Sequence, residues 1–492
     1  MFDHFQLVCG FHPAENDSLG PFIWAKASSQ LRVLQAARYA ELQACYYGNT
    51  GSLTIRSERG SQWQIALGRG WHAYVFGPLD ARSDDVLDLQ VTPLIDVPGD
   101  GRELGLMIRR FELFDEARRF AMLSASQANC IRNQQEYESG QVVLESVPPY
   151  LRINMEVRCN IPEKDQACVY CAWDWAKELE RGSPPFTIKT LDDLRDFYRC
   201  STHINDCSIG EPTMHKQFGE ITARIDEDGK HFSLTTNGQL LTPKRRRELL
   251  GRNVELYVSI DSPTAQGYAR YRNDRWNSVL ENLGALCREK REYGNLPRVY
   301  ISCIVMRSNL EDLPRFLTLM SELGVDHVKL RALALDDNVN AVTTNNGYRF
   351  DYAGELLTST ELTEIGDRVR RLAQAMQMDV YVEWEQFPVS ASEAGAPLCS
   401  EPWKTLYVLR RGIMPCCYGT DPVATWGEQG GRPLDVFLRS VLNSPKLQEI
   451  RGDLASGRLS NYCLRSPSCP IVKQARADGR LPASSCGFAS RA

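Results

Sequence analysis

Over the first 147 residues apolar and polar positions alternate in short runs, broken repeatedly by glycine and polar turns. In "GWHAYVF" the side chains of Trp71, Ala73 and Val75 point one way and those of His72, Tyr74 and Phe76 the other, the two-residue period of a strand. Several such runs in succession predict a β-rich accessory domain over 1–147, folded as a β-sandwich. A helical pattern in "LFDEARRFAMLSASQ" and a linker in "SVPPY" close it.

From 148 to 390 the rhythm changes. Six apolar runs of strand length, "LRINMEV", "HINDCSI", "HFSLTTN", "VELYVSI", "RVYISCIVM" and "DHVKLRAL", alternate with longer helical patterns. Strands joined by helix-length crossovers imply a parallel sheet with helices outside. The expected fold is therefore α/β, a partial (β/α)6 TIM-like barrel, whose chemistry collects at the C-terminal strand ends. From 391 to 492 the chain turns loop-rich and carries six cysteines, the texture of a small domain stapled by metal.

Composition sharpens this mainly through cysteine. The 492 residues are 43% hydrophobic and 24% charged, ordinary for a globular protein, with a net charge of −5 that argues against nucleic acid as a partner. The basic run "KRRR" (Lys244 to Arg247) reads as a solvated helix face. No apolar segment reaches membrane-spanning length and "MFDHFQLVCG" lacks a signal peptide's pattern, so no membrane is expected and the cytoplasm is the expected location. Sixteen cysteines are many for a reduced compartment, and their clusters suggest metal.

The first cluster is "CNIPEKDQACVYC", with Cys159, Cys168 and Cys171 in the loop after the first barrel strand. Three thiolates can hold three irons of a four-iron cluster and leave the fourth open; a zinc site with a distant fourth ligand is the other reading. The arrangement resembles the radical S-adenosylmethionine (radical SAM) superfamily, although its C-x8-C-x2-C spacing departs from the usual C-x3-C-x2-C. Further motifs of that family follow at successive strand ends. "IGEP" (Gly210, Glu211, Pro212) is similar to the motif that meets the methionine amino group, and "TTNG" contains Thr236 and Asn237. "SIDSP" offers Ser259 and Asp261 for ribose hydroxyls, "YARYRN" offers Arg272 for the SAM carboxylate, and "IVMRSN" ends the fifth strand. Tyr170 matches the aromatic near adenine. The resemblance implies a 4Fe-4S cluster binding SAM, a flavodoxin- or ferredoxin-type reductant, and a 5′-deoxyadenosyl radical that abstracts a substrate hydrogen.

"CSEPWKTLYVLRRGIMPCCYGTD" resembles the opening of the SPASM and twitch domains that follow such barrels, and implies one auxiliary 4Fe-4S cluster. The expected ligands are Cys399, Cys417, Cys463 and Cys469, with Cys416 and Cys486 as substitutes. For the substrate, the N-terminal domain carries a D-x-R-x-L-G pattern at Asp100, Arg102, Leu104 and Gly105 that resembles carbohydrate-associated modules. The expectation is a small-molecule or glycan substrate, with epimerisation or oxidation at a sugar carbon of a glycosylated natural product or polysaccharide precursor. A peptide-modifying enzyme is the alternative, and a zinc-stabilised binding protein a third. Cys303 and Cys207 are the candidate hydrogen donors for an epimerisation.

Overall fold

The computed structural model describes residues 4–17, 20–79, 81–95, 100–102, 104–161, 168–171, 185–334, 341–385, 397–416, 418–419, 421–466 and 469–481. Its first seven strands are β1 (Phe5–Phe11), β2 (Glu15–Asp17), β3 (Gly20–Val33), β4 (Tyr39–Ser57), β5 (Gln62–Phe76), β6 (Val86–Thr92) and β7 (Leu106–Phe114). They form one sheet and not the two of a sandwich. β3 pairs with β6, β6 with β4, β4 with β7, and β7 with β3 again, so the ladder closes on itself. A bulge between Tyr46 and Thr50 bends β4, letting its first half pair with β7 and its second with β6. Closure removes edges from these strands and encloses Ile23, Leu42, Leu53, Leu89 and Ile108.

A 22-residue helix, α1 (Ala117–Glu138), leads out of this unit. Its Gln127 accepts from Val75 N on β5 at 2.8 Å. On its other side Arg118 pairs with the fully buried Asp228 and Asn133 donates to Trp403 O at 2.9 Å, so α1 joins the two halves through polar bonds.

The second sheet runs β16 (Val380–Val382), β13 (His327–Ala332), β12 (Arg298–Val305), β11 (Val254–Ser259), β10 (His231–Thr236), β9 (His203–Asp206), β8 (Tyr150–Ile153), β17 (Thr405–Leu409) and β18 (Gly412–Met414). Strands β8 to β13 are the six apolar runs expected from the sequence, and all pair in parallel. β17 joins β8 in parallel, so the C-terminal segment extends the same sheet. One face is apolar and packs on helices, with Leu151, Ile204, Leu234, Leu256, Ile301 and Leu330 in a single core. The other face is polar and mostly half-buried: Arg152, Asn205, His231, Glu255, Tyr300 and Lys329 line the lumen of the partial barrel. A hairpin of β14 (Val342–Asn345) and β15 (Tyr348–Asp351) follows β13.

Candidate functional site

Cys159 lies beyond the end of β8, and Cys168 and Cys171 share a turn in which Cys171 N donates to Cys168 O at 3.0 Å. Burial pushes the Cys159 thiol up to about 11, and Cys168 is near enough to add to that rise. Burial raises Cys168 as well, while Arg272, with Nη1 3.8 Å from its sulfur, works to lower it. Among the described residues no three His, Cys, Asp or Glu side chains converge tightly enough for a single ion. A four-iron cluster asks something different, because each thiolate holds its own iron. Cys159 and Cys168, whose thiols act on each other, with Cys171 one turn on and a guanidinium beside Cys168, fit that donor requirement. Most of the insert between Cys159 and Cys168 falls outside the described residues.

The glycine of "IGEP" serves the cysteine loop directly. A Cβ on Gly210 would stand 2.4 Å from Arg158 O and 2.5 Å from Val157 C, so only glycine allows the β9 end to lie against the chain leading into Cys159. Glu211 N donates to Arg158 O at 2.8 Å and reinforces that approach. The Glu211 carboxylate is buried and already engaged. It accepts from Thr213 N (3.1 Å), the Thr213 hydroxyl, Thr236 Oγ1 (2.6 Å) and Asn237 N (2.8 Å). Here Glu211 ties β9 to the "TNG" turn, where the resemblance implied a contact to SAM. Pro212 starts the short 3-10 turn that Glu211 caps. Asn237 Nδ2 donates to Asn160 Oδ1 at 2.8 Å, and Asn160 Nδ2 to Gln239 Oε1 at 2.9 Å, so the residue after Cys159 is tied to β10 as well.

Asp261 and Arg272 are likewise committed to protein partners. Arg272 Nε donates to Asp261 Oδ2 at 2.8 Å, with side chains only 8% and 1% exposed. The Tyr170 hydroxyl donates to the same carboxylate oxygen, and Ile304 N donates to Oδ1 at 2.8 Å. The two residues to which the resemblance assigns the ribose and the SAM carboxylate thus form an internal ion pair between strand end and cysteine loop. Asn309, ending "IVMRSN", donates to Asp261 O and Ile304 O and stitches β11 to β12. Ser259 stays half-buried on the lumen face at the end of β11.

The two candidate donor thiols part company. Cys303 is 1% exposed in the apolar core with Val299, Ile301 and Val305, facing helices and not the lumen. Cys207 is half-buried beyond the end of β9, its thiol donating to Asn205 Oδ1 at 2.9 Å and receiving Arg152 Nη1 at 3.8 Å. Burial pushes it up to about 11, so it is a thiol at neutral pH.

In the C-terminal segment Cys399, Cys463 and Cys469 come near one another: burial carries Cys399 to about 12, and both other thiols add to the rise. Cys416 lies partly buried against the same core, whereas Cys417 and Cys486 are outside the described residues. The N-terminal Asp100–Arg102 pair closes on itself, with Arg102 Nη2 to Asp100 Oδ2 at 2.6 Å and Nη1 to Glu15 at 2.5 Å. Gly105 packs against Ala25 O and Lys26 O, and Leu104 is buried.

Sequence reasoning missed Asn160, Gln239, Arg152 and the β14–β15 hairpin. Only the hairpin had a local signal, the Asn346–Gly347 pair, whose φ values of +47° and +74° suit a tight hairpin turn.

Residues 159–297 match the family described as the Radical SAM superfamily. Over 182 residues the chain is 30% identical to the tungsten-containing aldehyde ferredoxin oxidoreductase cofactor-modifying protein of Pyrococcus furiosus, covering 36% of this chain and 49% of that one. Over 186 residues it is 27% identical to the Fe-coproporphyrin III synthase of Methanosarcina barkeri, covering 37% and 43%. The chain thus spans about half the length of these curated relatives. The crystal structure of Streptococcus suis SuiB bound to precursor peptide SuiA aligns with 74% of this chain and 77% of that one, at 14% identity and a TM-score of 0.46. No described helix is long and apolar enough to cross a membrane.

Proposed function

We propose, on the premise that residues 159–297 form a radical SAM domain, that this chain abstracts a hydrogen atom from a polar substrate seated in the barrel lumen. Members of this superfamily bind a 4Fe-4S cluster and SAM, which together supply, on reduction, a carbon-centred radical able to take that hydrogen. Cys159, Cys168 and Cys171 would hold three of the irons, and Cys399, Cys463 and Cys469 with Cys416 or Cys417 an auxiliary cluster.

The observation that carries the reading is the position of the cysteine loop, at the C-terminal ends of six parallel strands whose inner face is polar. Arg152 defines the substrate class further. It sits half-buried on that face with Nε buried and unbonded, and no carboxylate among the described residues lies within ion-pair distance. Glu401 acts on it only from beyond ion-pair distance, so a half-buried cation with no direct salt bridge favours a ligand that brings a negative charge, and the substrate carries an acidic group. Sugar epimerisation finds no support in the relatives, and the Asp100–Arg102 pattern that suggested a carbohydrate module is an internal turn bridge.

The test is anaerobic reconstitution followed by reduction with dithionite in the presence of SAM. The reading expects iron and sulfide bound in the chain and 5′-deoxyadenosine in the supernatant, both lost from the radical-generating site in Cys168→Ala. An iron-free protein after reconstitution would overturn it. With a substrate in hand, deuterated water separates two endings. Deuterium at the attacked carbon, absent with Cys207→Ala, marks hydrogen return from the lumen thiol. A deuterium-free product two hydrogens poorer marks oxidation, with the auxiliary cysteines as the electron path.

A further inference from the structure

Three segments distant in sequence meet at Arg272. The helix Ala265–Tyr271 ends on it, and Asn345 of β14 donates from Nδ2 to Arg272 O at 2.8 Å, and to Ala269 O and Arg270 O at 3.3 Å. The cysteine loop arrives from the other side: Val169 N donates to Tyr271 O at 3.0 Å, and the Tyr170 ring lies 5.6 Å beneath the guanidinium. Asp261 fixes Nε, which leaves Nη1 aimed at Cys168 Sγ, 3.8 Å away. Val169, Tyr271, Met306, Phe350 and Tyr352 pack around this junction as an apolar cluster of their own. An arginine serving a SAM carboxylate would need a free fork; this one is buried, and Nε, on its side-on edge, and Nη1, on its end-on edge, are spent on Asp261 and sulfur.

We propose that Arg272 is a positioning residue that acts on the iron–sulfur cluster through the sulfur of Cys168. The proposal rests on the radical SAM reading of the cysteine loop. An arginine stays protonated and its N–H groups are fixed donors, so Nη1 presents a permanent positive dipole to a ligand sulfur. Reduction adds an electron to the cluster, and hydrogen bonds to cluster sulfurs are among the features that set its potential. The N–H donor stabilises the reduced form and so raises the reduction potential. The hairpin, through Asn345, holds the backbone that makes the aim possible.

The experiment is an EPR-monitored redox titration of the reconstituted full chain without SAM, for the wild type, Arg272→Gln, Arg272→Lys and Asn345→Ala. Arg272→Gln should favour the oxidised cluster by about tenfold, a downward shift of about 59 mV for one electron. Arg272→Lys, which keeps the charge as a point and loses the fork, should recover part of the shift, and Asn345→Ala should show a smaller drop with the guanidinium intact. If Arg272→Gln takes up no cluster, Asn345→Ala decides by its own potential. Unchanged SAM-free potentials, with SAM affinity lost in Arg272→Gln, would overturn the proposal and return the arginine to SAM. Failure of the wild type to take up a cluster would instead remove the radical SAM reading, a distinct result.

Discussion

A Cβ at position 210 would meet three backbone atoms of the chain entering Cys159, none of which can swing aside as a side chain would. Gly210→Ala should therefore cost about 1–3 kcal/mol of stability through overpacking. Because the displaced chain carries a cluster ligand, iron bound per chain should fall more than the thermal midpoint suggests. Iron analysis beside thermal unfolding checks this, and full iron content in the variant would contradict it. What the sequence conveys about such residues is uneven. The cysteine triplet is legible because its spacing is local, and "GEP" is legible as a motif. The partners of Glu211, Asp261 and Arg272 are not, because each is satisfied by side chains or backbone from other strand ends. A charged residue that looks ready for a ligand in sequence can be spent on its own protein, and only the third dimension says which. Arg152 is the reverse case: nothing in "LRINMEV" singles it out, yet it faces the lumen with Nη1 bonded to Asn205 and Cys207 and its Nε buried without a partner.

At the scale of elements, strands β8 to β13 were readable because every second residue had to be apolar to face the helices. The sandwich expected at the N-terminus fails for the same physical reason that alternation works: it reports which face is buried, while the pairing that closes β3, β6, β4 and β7 is non-local. The polar face has its own consequence. β9, β10 and β11 set His203 edge-on to His231 with ring centroids 4.4 Å apart, and His231 Nε2 lies 3.4 Å from Glu255 Oε2. Burial, with the neighbouring His231, pushes His203 down to about 3. The unfolded chain takes a proton there near pH 6.5 and the folded one does not until about pH 3, so between those values the unfolded state binds more protons. Stability must then fall as pH is lowered through that window. His203→Gln, which can keep the bond to Ser233 Oγ, should flatten the slope between pH 7 and pH 5 by at most about 1.4 kcal/mol per pH unit. Urea midpoints at the two pH values measure it, and parallel slopes for the two proteins would show that His203 is not the titrating group.

The described residues form two large hydrophobic cores that share no residue. One draws on residues from Phe5 to Leu113, inside the closed sheet; the other runs from Leu144 to Tyr462 and includes both the parallel strands and the C-terminal helices. β17 beside β8, and Arg451 donating to Pro402 O, Val142 O and Leu442 O, bind the segment of the auxiliary cysteines into the second core. By contrast the described contacts from α1 to the barrel are few and mixed: the Arg118–Asp228 pair, the bonds of Asn129 and Asn133, and the Tyr137 ring edge-on to Trp403. Hydrogen bonds of that kind contribute about 1 kcal/mol each, far less than either core, so they align the two units without fusing their unfolding. Calorimetry of the intact chain should then resolve two transitions, the N-terminal one carrying about 60–80 kcal/mol as expected for roughly 100 residues. Stripping iron with a chelator should lower the barrel transition and leave the N-terminal one in place, since all the cysteines proposed as ligands lie beyond residue 158. A single transition that moves as a whole on chelation would mean that α1 couples the cores more strongly than its contacts imply.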